Sequence, residues 1–298
     1  MKFKAIVQWA KLYSVVDLCR VLRVSPRAYY HWKRKPTKLI SEDELRLYRE
    51  AKRLFKQTRS GIGYVKLCRA LNRSGFTIGE TKTRSIMRKL DLVCTQRLRY
   101  KSTTNSHHKL GISDNILNQE FNPDAENQVW STDITYLKTR QGWVYLAVVM
   151  DLYSRKIVGW SMNKRMTSGL IIQALRQAHA LRKPPIGLLH HSDRGSQYAS
   201  HAYRKKLKVY GMISSMSGKG NCYDNAVVER FFGSLKHEWL TNVIHLTREG
   251  IINDVNDYIR YYNGTRLHST LGYKTPNEYE KPLIDVCNYT NLVQFYRV

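Results

Sequence analysis

Residues 129–163 hold three strand signals in close succession, at 129–138, 143–151 and 155–163. Each is rich in Val, Ile, Tyr and Trp, and the gaps Arg140-Gln141-Gly142 and Leu152-Tyr153-Ser154 are too short for anything but tight turns. Such a run folds as an antiparallel meander. A helix pattern follows at 167–181, ended by Pro184-Pro185. Short strands at 187–191 and 212–215 then alternate with helices at 200–210 and, after Asp224 as an expected N-cap, around Glu229; a last helix covers about 247–262. The order β-β-β-α-β-α-β-α predicts a mixed α+β fold, with one sheet flanked by helices.

Three acids stand out against this pattern. Asp133 lies in the apolar strand V-W-S-T-D-I-T-Y, where a carboxylate needs a metal ion or an Arg partner. Asp193 follows the strand in L-L-H-H-S-D-R-G-S-Q-Y, where a structural loop carboxylate is the ordinary alternative. Glu229 lies on the predicted helix, 35 residues beyond Asp193, and the bland reading is a solvated surface charge. Two strands and one helix can bring three carboxylates around a pair of divalent ions about 4 Å apart, a constellation that drives in-line attack on a phosphodiester. Lys236 follows Glu229 by two helical turns and shares its face, whereas Asp224 and Glu238 point elsewhere. His190 and His191 lack further zinc ligands at a recognisable spacing and read as packing or DNA-contact residues.

Charge points the same way. The chain of 298 residues carries a net charge of +27, and residues 1–110 hold 27 Lys and Arg against 7 Asp and Glu, while 111–298 hold 23 against 16. A basic surface concentrated in one third of a chain is the footprint of nucleic-acid binding. Residues 1–38 read as a helix-turn-helix whose second helix, begun by Ser25-Pro26, carries Arg27 and Lys33. Residues 39–94 read as a second helical, helix-turn-helix-like region, with Ser41 capping a helix over 42–58, another helix over 64–73, and Lys82, Arg84 and Arg88 on a basic helix over 77–90. Residues 95–128 are polar and weakly periodic and read as a linker with one short element at 115–121. The core is expected over 129–245 and a C-terminal helix and tail over 246–298. Five scattered cysteines without a C-x-x-C pair support neither a disulfide framework nor a structural zinc. No apolar run of about 18 residues exists to span a membrane, and no signal-like segment opens the chain.

Four strings, W-S-T-D-I-T-Y, H-S-D-R-G-S-Q-Y, M-S-G-K-G-N-C-Y-D-N-A-V-V-E-R-F-F-G-S-L-K-H-E and Y-N-G-T-R-L-H-S-T-L-G-Y-K-T-P-N-E-Y, resemble the long-frame product of the IS3 family of insertion sequences over nearly the whole length. These are DDE transposases with a retroviral-integrase-type core. The resemblance implies an RNase H-like sheet, Asp133, Asp193 and Glu229 as catalytic triad and metal ligands, and two Mg²⁺ or Mn²⁺ ions. It implies Lys236 on the DNA beside the scissile phosphate. It implies nicking of one strand at a transposon end and transfer of the freed 3′-OH to another phosphodiester. The G-I-G-Y-V-K-L and T-K-T-R-S-I-M-R-K-L segments resemble the family's helix-turn-helix region, and no His-His-Cys-Cys zinc module of the retroviral kind precedes the core. Expected partners are double-stranded DNA, as terminal inverted repeats and target, and further copies of the chain, as a dimer or higher oligomer on DNA. A frame-fused upstream helix-turn-helix and zipper segment is a further partner, and the expected setting is the nucleoid in the bacterial cytoplasm. Two rivals remain open at this point: a non-catalytic DNA-binding regulator, and a tyrosine recombinase built on the H-x-x-R strings at 31–34 and 191–194.

Overall fold

The computed structural model describes residues 2–34, 40–95, 112–218, 222–241 and 243–280. The meander forms as its residues require. β1 (Val129–Thr139) and β2 (Gly142–Asp151) pair antiparallel from Trp130↔Asp151 to Thr139↔Gly142, and β3 (Ile157–Asn163) pairs with β2. The first turn needs only Arg140 and Gln141 between paired residues, because Gly142 takes a φ of +105°. The third strand begins two residues later than expected: Arg155 adopts a left-handed φ of 61° and closes the second turn, with the Asp151 N–H bonded to the Lys156 carbonyl.

β4 (Leu189–Ser192) adds to the other side of β1 and β5 (Ile213–Met216) adds to β4, both parallel, so the order is β3-β2-β1-β4-β5. Parallel neighbours need crossovers, which here are helical. α7 (Ser168–Arg182) and α8 (His201–Val209) cover one face, packing on Trp130, Ala147, Val149 and Val158. The approach is close at Gly159, where a Cβ would sit 2.3 Å from the Ala174 carbonyl oxygen. α9 (Ala226–Ser234), a π-helical turn (Leu235–Leu240) and α10 (Arg248–Gly264) cover the other face, against Leu137, Val144, Leu146 and Val148. The alternation of β2 thus feeds two cores, and the result is the mixed, helix-flanked, RNase H-like sheet expected. Among the described residues no helix is long and apolar enough to cross a membrane.

The N-terminal helices are α1 (Lys2–Trp9), α2 (Val15–Val21), α3 (Pro26–Arg34), α4 (Glu42–Gln57), α5 (Tyr64–Arg73) and α6 (Glu80–Lys89). The chain divides after Glu50 into two compact units. In the first, Ile6, Cys19 and Tyr29 form a small core, Ser14 caps α2 by accepting the Asp17 N–H, and Arg23, at φ 52°, turns the chain towards α3. Ser41 caps α4 through the Glu44 N–H. α6 starts three residues later than the sequence pattern suggests. The Asn72 amide holds both the N–H and the carbonyl of Ile78 and keeps that segment extended until Gly79 opens the helix.

Residues 112–128 differ most from expectation. Neither helix nor strand forms at 115–121, and the segment is no free linker: Leu117 is buried in the core, the Ile116 and Leu117 N–H groups bond to Ser215 Oγ, and Leu189 N–H bonds to the Gln128 carbonyl. Its backbone N–H groups donate to a strand hydroxyl and Ser113 Oγ donates to Ser214 Oγ, contacts that have no periodicity to read. The remainder of the expected linker, 96–111, lies outside the described residues, as does the tail 281–298.

At the far end of β2, Asp151 is fully buried and is held 3.2 Å from Arg182 of α7. Arg182 also binds Glu280 of α11 (Pro276–Glu280) at 2.5 Å, and Glu280 takes Lys156 Nζ and Ser154 Oγ at 2.7 Å each. Arg182→Ala leaves buried Asp151 without its cation and Glu280 with the Lys156 cation alone, so it should lower stability by about 3–5 kcal/mol. Urea denaturation would show this as a lower midpoint; an unchanged midpoint would mean the network contributes nothing.

Candidate functional site

The site is built from the parallel pairing of β1 and β4. Their register, Trp130↔His190 and Ser131↔His191, puts Asp133 and Asp193 two residues further along adjacent strands, at the same end of the sheet. Asp133 is partly buried, and its Oδ1 accepts the N–H of Ile134 at 2.7 Å. Asp193 sits just past β4 and its Oδ1 accepts the Gly195 N–H at 2.9 Å. A side chain at 195 would meet that oxygen at 3.0 Å and Gln197 Oε1 at 3.1 Å, so the fold-back suits glycine.

Glu229 reaches the same end from the first turn of α9. A residue that the sequence reading missed holds it there. The buried Asn225 side chain, one turn before Glu229, accepts from Ser131 Oγ at 2.6 Å and donates to the Thr132 carbonyl at 3.2 Å. The start of the helix is thereby tied to the two residues that precede Asp133. Asn225, not Asp224, is the N-cap residue. The Asp224 carboxylate is turned away, accepting from Asn115 Nδ2, Gln119 Nε2 and the Gly218 N–H. The D-N pair ahead of the helix was the available signal.

Electrostatics join the three acids. Burial holds the Asp133 carboxyl well above the usual range, and the charges of Asp193 and Glu229 push it further up; the Ile134 N–H and Lys236 pull it down. Glu229, exposed on the helix surface, is raised by partial burial of its carboxyl and by Asp193. Lys236 is lowered by burial, with Asp133 opposing, and its Nζ stands 5.1 Å from the Tyr136 ring centre. The three acids and Lys236 therefore converge electrostatically. Among the described residues, however, no three His, Cys, Asp or Glu side chains stand close enough to hold a metal ion as they are.

Other expected residues take different roles. Glu238, expected as a bystander off the face of Glu229, is buried and bonded to Arg266 at 2.6 and 2.7 Å. It anchors the π-helical turn and is a structural acid. His190 and His191 are buried; burial lowers them to about 3 and about 4, so both are neutral. His190 bonds to Tyr203 and His191 to Ser215 and Ser217, which makes them packing residues and leaves the second H-x-x-R string without an exposed histidine. Arg27 and Lys33 are exposed on α3, and Lys82, Arg84 and Arg88 on α6, where the Arg84 guanidinium lies 4.3 Å from the Tyr64 ring centre.

Comparison with known proteins adds sequence kinship. The integrase core domain family matches residues 123–222 and, through a second model of that domain, 210–276; an HTH-like domain matches 42–100. The transposase InsF for insertion sequence IS3A of Escherichia coli (strain K12) is 37% identical over 283 residues, 94% of this chain and 98% of its own. The uncharacterized 31 kDa protein of insertion element IS600 of Shigella sonnei is 42% identical over 261 residues, 87% of this chain and 96% of its own. Among solved structures, the HTLV-2 integrase catalytic core domain in complex with magnesium (dimeric form) matches 53% of this chain and 99% of its own at 23% identity, with a TM-score of 0.42. The simian T-cell lymphotropic virus intasome in complex with PP2A regulatory subunit B56 gamma matches at 21% identity and a TM-score of 0.48, over 79% and 76%.

The raised Asp133 carboxyl has a consequence for stability. The folded chain holds that proton more tightly than the unfolded chain, so this group's contribution is greatest below the ordinary carboxylate value and is lost as pH rises through the raised one. At neutral pH in chelator-containing buffer, Asp133→Asn should therefore melt higher than the unaltered protein, by roughly 2–4 °C per kcal/mol of repulsion relieved. Asn keeps the oxygen that Ile134 uses. A lower melting temperature would contradict the repulsion.

Proposed function

The chain belongs to the IS3 family of insertion-sequence transposases, and on that premise we propose that Asp133, Asp193 and Glu229 are the catalytic triad with which it cuts and joins DNA. What supports this reading is that the β1–β4 register sets Asp133 and Asp193 at the same end of adjacent strands and that Asn225 ties the helix of Glu229 to β1. They are hard oxygen donors gathered with more negative charge than Lys236 offsets, which suits a divalent cation of the Mg²⁺ or Mn²⁺ type, two per site. When bound, such ions polarise a phosphate and favour ionisation of an attacking oxygen. Bringing the donors within bonding reach requires side-chain movement, for which Glu229, exposed on the first turn of α9, is suited.

The chain's own residues do the rest. Lys236, beside Asp133, holds a non-bridging phosphate oxygen and orients the scissile bond. In the first step, water adds to phosphorus, the bond to the 3′ oxygen breaks, and that oxygen leaves as a 3′-OH. In the second, the 3′-OH attacks another phosphodiester; one P–O bond forms, one breaks, and the displaced strand keeps its hydroxyl. Residues 1–38 and 39–94 grip the terminal repeats, through Arg27 and Lys33 on α3 and Lys82, Arg84 and Arg88 on α6. Two ends have to be handled together, so the working unit contains at least two copies on DNA, joined in some elements by the frame-fused upstream segment. The reaction takes place on the bacterial nucleoid.

Asp133→Asn, Asp193→Asn and Glu229→Gln should each lower strand cleavage by roughly 10³-fold or more, the scale of losing a catalytic unit, and leave binding to the ends intact. Asp257→Asn is the control, since Asp257 sits in an exposed pair with Arg260 on α10. Any one triad variant that still cuts at the original rate removes that residue from the triad.

A further inference from the structure

Two large aromatic side chains near the acids are left in solvent. Tyr136 on β1 is 39% exposed and Trp143 on β2 is 45% exposed. Their ring centres lie 5.2 Å apart, edge to face at 85°. Lys138, directly opposite Trp143 in the register, is exposed beside them. Tyr136 and Lys138 stand on the part of β1 beyond its pairing with β4, which involves only Val129, Trp130 and Ser131, and Trp143 stands beside them on β2. Lys236 links this platform to the catalytic end of the sheet: its Nζ lies 5.1 Å from the Tyr136 ring centre, and it is within electrostatic reach of Asp133. Tyr136 is three residues past Asp133, so it lies on the other face of β1, roughly 10 Å along the strand at about 3.3 Å per residue; Lys236 reaches both where β1 has no β4 neighbour.

Exposed aromatic rings between lysines are the means by which proteins hold unpaired nucleic acid. The rings stack on bases of any sequence and the cations track the backbone. A base inside a duplex offers no free face, so the occupant has to be out of the stack. We propose that Tyr136 and Trp143 form a stacking site for one nucleobase of the end DNA, unpaired within about three nucleotides of the scissile phosphate, with Lys138 on its own phosphate and Lys236 on the scissile one. The lysines at both rims favour a polyanionic strand over an apolar peptide. This inference rests on the placing of the scissile phosphate at Asp133.

The test uses the full chain and duplexes carrying the element's own terminus, with an abasic nucleotide placed in turn at each of three positions on either side of the cut. Stacking one base is worth about 1–3 kcal/mol, so the double variant Tyr136→Ala/Trp143→Ala should cleave the intact end roughly 5- to 150-fold more slowly. Tyr136→Phe and Trp143→Phe, which keep a ring at each position, should lose far less than the double variant, and Asp257→Asn, in an exposed pair on α10, should cleave at the original rate. At one abasic position the unaltered protein should fall to the level of the double variant, which itself loses nothing further there. Unchanged cleavage by the double variant, or losses that simply add at every abasic position, would overturn the proposal. Asp133→Asn run alongside separates the two readings. If it is inactive while the double variant is fully active, only the stacking site fails; if it still cuts, the placing of the scissile phosphate fails first.

Discussion

Repulsion among three carboxylates is the constraint the architecture has to satisfy. Like charges at one end of a sheet raise one another's proton affinity, and Asp133 is raised by burial and then by Asp193 and Glu229. Nothing in the acids themselves brings them together, so the scaffold has to. Parallel pairing of β1 with β4 fixes two of them. Asn225, bonded to Ser131 and Thr132, fixes the helix that carries the third. The free energy that holds the acids near one another therefore comes from backbone pairing and a buried amide rather than from the site.

The second layer of support lies behind α9. The helix widens into a π-helical turn at Leu235, and Glu238 in that turn is clamped by Arg266, with the Tyr258 hydroxyl also donating to it. A buried pair of this kind is weak evidence for net stability, but it is costly to break, so it sets a unique position for the turn. Lys236 projects from the same turn towards Asp133, and Val228, Phe231, Phe232 and Leu235 bury the opposite face of the helix. A transposase core can in this way place a cation and an anion on one wall and leave its packing to the other.

Much of this was legible in the residues. The three-strand meander, the order of later elements and the three acids follow from alternation, turn residues and the burial problem posed by Asp133. What was not legible has a common cause. The D-N pair ahead of the helix marks Asn225 as a cap candidate, but its two hydrogen bonds cross 93 and 94 residues of chain and no local pattern reports those partners. Residues 112–128 pack on the sheet through backbone N–H groups on the Ser215 hydroxyl and one buried leucine, in a stretch whose composition is indistinguishable from a linker. Glu238 read only as an acid off the face of Glu229, because its partner, Arg266, lies 28 residues away. The late start of α6 depends on one amide, Asn72, occupying both polar groups of Ile78.

The central claim is that Asp133, Asp193 and Glu229 form one cation site when DNA is present. The direct measurement is Mn²⁺ uptake by the full chain on its terminal DNA, followed by electron paramagnetic resonance. The unaltered protein should take up two Mn²⁺ per chain, and Asp133→Asn, Asp193→Asn and Glu229→Gln should each lose or weaken at least one. Uptake unchanged in all three variants would contradict the account.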